Sequence, residues 1–184
     1  MNHEPADDHV ADAESAAETP DDRGDADAAK LAEQIGQLLD RGRGGANWFF
    51  WIAGLSLINT AIMHSGGDRQ YALGLGTTKL VDLIAREVAV QQPEISTVVM
   101  AGAIGFSIFC SLLACLFGWL SRKRILILFG LGMTAYLLDG LLFVLIHDWL
   151  SLGFHAYALY CMWTGLAAYR ELNRCEAQIA EGQG

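Results

Sequence analysis

An aspartate at position 139 stands inside an apolar run of 22 residues, Ile125–Ile146. As a helix, that run is long enough to cross a bilayer. A carboxylate at the centre of such a span costs roughly 2.5–3.5 kcal/mol, so it marks a functional site when a partner can be named. His155 is that partner. A tight turn at His147-Asp148 joins two apolar runs, with Asp139 eight residues before His147 and His155 eight residues after it. In an antiparallel helix hairpin both then lie about 12 Å from the turn, at 1.5 Å per residue. Asn59 belongs to the first apolar run, five residues before His64. That count puts it roughly 7–8 Å below the same surface. Asn59, Asp139 and His155 are therefore expected to form one polar layer, with Tyr136 or Tyr157 able to join it.

Three kinds of chemistry fit such a layer. As polar glue, Asp139 accepts hydrogen bonds from His155 and Asn59 and fixes helix register; such bonds average about 0.6 kcal/mol, which favours specificity over stability. As a relay, Asp139 and His155 pass a proton or cation, in the manner of the Asp/His chains of transporters. As a hydrolase, His64, His147 and Asp148 join His155 around a zinc ion with an open position for water. The spacing favours the hydrolase least. HExxH is absent, Asp148 has the position of a helix N-cap ahead of Trp149-Leu150-Ser151, and His64 and His147 read as polar ends at the interface. No cofactor or resident metal is expected. The segment Gly74-Leu75-Gly76-Thr77-Thr78-Lys79 faintly resembles a phosphate loop but lacks the GxxxxGK[ST] spacing.

The elements that must position these residues follow from charge and hydropathy. Residues 1–40 hold twelve acids against Arg23 and Lys30, and the rest of the chain is nearly balanced. Acidic and poor in large apolar residues, positions 1–29 are predicted to form a disordered tail. His3 and His9 fall in it as solvated polar residues. Leu31, Ile35, Leu38 and Leu39 predict a short cytoplasmic helix over 30–41, ended by Gly42, Gly44 and Gly45. Four apolar runs predict membrane spans at about 46–64, 95–120, 125–146 and 149–169. The fold class expected is all-α: a four-helix transmembrane bundle over 46–170 with a tail at 171–184.

Between the first two spans, Leu80, Ile84 and Val88 repeat at helical spacing, with Lys79, Asp82 and Arg86 on the opposite face. That pattern predicts an amphipathic helix on the outer interface, with Asp82 in an exposed ion pair at i,i+3 spacing from Lys79 and i,i+4 spacing from Arg86. Thr77 or Thr78 is the expected cap. Arg41, Arg43, Arg122, Lys123, Arg124, Arg170 and Arg174 fall on one side of four spans, which puts both termini in the cytoplasm of a bacterial inner membrane. Cys110, Cys115, Cys161 and Cys175 read as small packing residues.

The function expected is that of a small multi-pass membrane protein acting by interaction, as scaffold or regulatory subunit. A transporter or ion-pathway component using Asp139 and His155 ranks second. The expected partners are the bilayer and other membrane proteins or copies of the chain, with no nucleic acid.

Overall fold

The computed structural model of the chain describes residues 20–64 and 75–182. Most of the acidic tail, with His3 and His9, and the segment 65–74 lie outside them. Among the described residues the structure is almost entirely helical and contains no strand. The elements are α1 (Pro20–His64), α2 (Gly76–Gln91), a 3-10 turn (Pro93–Ile95), α3 (Ser96–Arg122), α4 (Leu126–Leu145) and α5 (Trp149–Gly182). Three of these helices are long and apolar enough to cross a membrane: α1 over Gly24–Met63, the 3-10 turn with α3 over Pro93–Arg122, and α4 over Leu126–Leu145.

The chain forms two compact units, 1–34 and 35–184. In the described part of the first, α1 is exposed on every side from Gly24 to Gln34 and carries the Lys30–Asp27 ion pair. Residues 20–29, predicted above to be disordered, are helical.

In the second unit, α1, α4 and α5 share one core. Phe49 and Ile52 of α1, Phe129 and Tyr136 of α4, and Met162, Leu166, Tyr169 and Leu172 of α5 build it. The break predicted at Gly42, Gly44 and Gly45 is not there. Helix α1 runs through all three, and two of them form a notch. A Cβ on Gly45 would lie 2.6 Å from the Gly165 Cα, and one on Gly42 would collide with the Tyr169 ring. The cost of glycine in a helix is accepted here so that α1 and α5 can touch backbone to backbone. Helix α3 turns a stripe of small residues inward (Ala103, Ser107, Ser111, Ala114, Gly118, Ser121) and leaves Phe109, Leu112, Leu116 and Trp119 exposed.

Arg124 and His147, at the α3–α4 and α4–α5 turns, both have positive φ, 64° and 55°. At the α3–α4 turn, Arg124 bonds to Glu176 and Asn173 of α5. That bond, and the nearby positive charge, hold the Glu176 carboxyl below its ordinary range.

Helix α2 departs most from expectation. The polar residues of its first half face inward: Thr78, Lys79 and Asp82 are buried, Asp82 to 1%, while Arg86 and Glu87 further on are exposed. Its apolar residues Ile84 (54%) and Val90 (77%) face out. The exposed Lys79–Asp82 pair predicted above does not form. Lys79 Nζ instead reaches Asp148 Oδ2 at 2.7 Å, and Thr60 Oγ1 donates to Asp82 Oδ2 at 3.1 Å. Ser56 and Thr78 join their hydroxyls at 3.0 Å. Ser56–Thr78 and Thr60–Asp82 share one offset, 22 residues. A constant offset means that α2 runs parallel to the end of α1.

Candidate functional site

Asp139 lies on α4 with its side chain buried between α2 and α5. Its neighbour Gly140 packs against His155, where a Cβ would come within 3.1 Å of the ring. That close approach sets α5 beside α4 at the depth the hairpin count gives. His155 Nε2 stands 3.1 Å from Asp139 Oδ2. Tyr136 stacks on the imidazole at 4.3 Å between centroids, and Phe143 tilts against it at 4.8 Å.

The remaining partners of Asp139 come from α2. Gly76 N donates to Oδ2 at 2.6 Å, Thr77 N to Oδ1 at 2.8 Å, and Thr77 Oγ1 to Oδ1 at 2.7 Å. These are the first amides of α2, which have no partner inside their own helix. The residue before them, Leu75, supplies no side-chain cap. Helix α4 supplies it from 63 residues away. A carboxylate at a helix N-terminus also meets the positive end of the helix dipole. Gly76 makes the approach possible, since a Cβ there would lie 2.8 Å from both the Asp139 carbonyl oxygen and the Phe143 ring.

Three donors of α2 and the His155 ring nitrogen converge on Asp139, and together they engage its four lone-pair positions. His155 lies between two acceptors, Asp139 at Nε2 and the Ser151 carbonyl, 3.0 Å from Nδ1. A carbonyl oxygen cannot donate, so Nδ1 carries a proton and donates it to Ser151. Nε2 and Asp139 Oδ2 then share one proton in a pair buried to 1% and 7% exposure.

Asn59 is buried, but among the described residues no hydrogen bond joins it to Asp139 or His155. Counting gave its depth and not its direction around the helix; α2 fills the place predicted for it. Asp148 caps α5, accepting from Ser151 N at 3.2 Å and Ser151 Oγ at 2.7 Å, and holds Lys79 as well. Partial burial pushes its carboxyl up, but the bonds from Lys79 and Ser151 outweigh this and bring it down to about 2. His147 packs on Trp149 in the turn. His64 ends α1. No three His, Cys, Asp or Glu side chains come together among the described residues, so the zinc set of His64, His147, Asp148 and His155 does not form there.

Gly76 and Thr77 are the site residues that sequence reasoning missed. Their signal was the phosphate-loop-like stretch from Gly74 to Lys79: its described part, Leu75–Lys79, does make a helix N-terminus that binds an anion, and the anion is the protein's own Asp139. No family model matches the chain, and no curated protein or solved structure is similar to it.

Proposed function

We propose that the chain is a four-span protein of the bacterial inner membrane, with both termini cytoplasmic, and that it acts as a scaffold or regulatory subunit for other membrane proteins. The saturation of Asp139 carries this reading. An acid whose four acceptor positions are all engaged by the protein's own groups has no vacant site for a substrate cation. It is a fastener. It holds α2 as a re-entrant helix whose apolar side meets lipid and whose polar side meets α1 and α4.

Helix α5 is the fourth span, over about 149–169. Its antiparallel pairing with α4 through His155 supports that assignment, as does the aromatic surface of Tyr157, Tyr160 and Trp163. Arg41, Arg122, Arg124 and Arg170 at one end support the orientation. The interacting part is the acidic start of the chain, where α1 is exposed on all sides from Gly24 to Gln34; a polar helix without a buried face suits a partner-binding element.

Proton transport is the second reading, favoured by one observation: His155 and Asp139 form a buried, hydrogen-bonded pair of ionisable side chains. Reconstitution separates the two. Under the scaffold reading, proteoliposomes show no proton flux above empty vesicles, and the protein migrates in mild detergent as a larger assembly that is lost when residues 1–45 are removed. Flux that disappears in folded Asp139→Asn and His155→Ala proteins overturns it.

A further inference from the structure

A cavity of about 420 Å³ lies between α1, α3 and α4. Phe49, Ile52 and Ala114, all buried, form its back wall. Its rim is different. Leu113 of α3 and Leu138 of α4 line it and are 38% and 60% exposed. The cavity therefore opens sideways, between α3 and α4, rather than toward either end of the helices.

Its dimensions are those of a channel for one chain. The lining residues of α4 run from Gly132 to Leu142, ten residues or about 15 Å. Spread over that length, the volume gives a mean cross-section of about 28 Å², about 6 Å across, which admits one hydrocarbon chain with carbons packed 3.5–4 Å from the wall. Leu142 is five residues before the α4–α5 turn, so the channel starts about 7 Å below that turn and ends about 22 Å below it. That is the depth range of a lipid chain hanging from the nearer interface of a hydrocarbon core about 30 Å thick.

The lining is apolar where it matters. Thr77 and Asp139 close the upper end, but their polar groups are bonded to each other. Protein interiors hold few voids larger than a water molecule, so an apolar space of this size, opening to lipid, has an occupant. We propose that it binds one acyl chain of a phospholipid, which enters sideways between α3 and α4. This rests on α3 and α4 crossing the membrane.

The test uses a phospholipid carrying a photoreactive diazirine near the end of one chain, incorporated with the full-length protein into vesicles. Photolysis is expected to label Cys110–Phe117 and Gly132–Tyr136 well above the equally lipid-facing Leu141 and Tyr160. Ala114→Phe fills the channel and abolishes that excess, whereas Leu112→Phe, on the outer face of α3, leaves it intact. Should Ala114→Phe fail to fold, Ala135→Phe at the rim takes its place. Even labelling along all exposed helix faces, or an excess that survives in a filled and folded variant, overturns the proposal. Alkaline carbonate extraction of the same membranes separates this from the premise. Protein that stays in the membrane without the excess refutes the lipid site alone, and protein released by carbonate refutes both.

Discussion

Replacing Asp139 with asparagine isolates the fastener, because the shape of the side chain is kept and only its acceptor capacity changes. Asparagine offers one carbonyl oxygen for two donors and turns an NH2 group toward the other two. Two of the four bonds from Gly76, Thr77 and His155 are then lost. At the membrane average of about 0.6 kcal/mol each, the loss is about 1 kcal/mol. At about 1.5–3 kcal/mol for each bond to a charged group, it is about 3–6 kcal/mol. The higher range applies to backbone amides that have no alternative acceptor: Gly76 N and Thr77 N cannot bond within their own helix. We expect a loss of about 3 kcal/mol, borne mainly by α2. Hydrogen exchange measured by peptide is the assay. Amides from Gly76 to Asp82 are expected to exchange about a hundredfold faster in the variant, as about 3 kcal/mol requires, while α4 and α5 hold their protection. Unchanged exchange in α2, with a stability loss under about 0.5 kcal/mol, would refute the role given to Asp139.

Four further outcomes follow from the same geometry. The Lys79–Asp148 bridge stabilises the protein above the ordinary Asp value of 3.8, and its contribution fades as pH falls from there toward about 2; Asp148→Asn should remove that pH dependence, as read by thermal unfolding in detergent. Nitrogen NMR of His155 should show a proton on Nδ1, which faces the Ser151 carbonyl, and an unprotonated Nδ1 would contradict that bond. Gly45→Leu drives a side chain into the Gly165 backbone and should cost about 1–3 kcal/mol or more, seen as separation of α1 from α5 in cysteine cross-linking. His147→Gly relieves a left-handed residue at φ 55° and should raise stability by about 1 kcal/mol in the same unfolding assay.

The Asp139–His155 contact was legible because a tight helix hairpin converts sequence distance into depth. Two residues equally far from the turn meet if they also share a face, and Gly140 beneath the His155 ring lets them. Asn59 had the depth without the face, because no turn of known geometry ties α1 to α4. The amides of Gly76 and Thr77 escaped for another reason. Hydropathy and spacing describe side chains, and these donors are backbone groups exposed only because a helix starts there.

Helix α2 shows why the remaining error had a definite sign. An amphipathic pattern states that two faces differ, not which one looks inward. For a helix on an aqueous surface, Lys79 and Asp82 point outward and the apolar stripe packs down. For a helix bordered by lipid, the outside is the apolar medium, and each polar group must find its partner within the protein. The bonds of its first half follow the second rule: Lys79 to Asp148, Asp82 to Thr60, Thr78 to Ser56, and Asp139 on the helix start; its second half leaves Arg86 and Glu87 exposed. Polar partners for one short helix thus come from α1, α4 and the turn before α5. A lone acid in the apolar run of α4 therefore implies a second element nearby with donors to spare, and the polar stripe of α2 is where they come from.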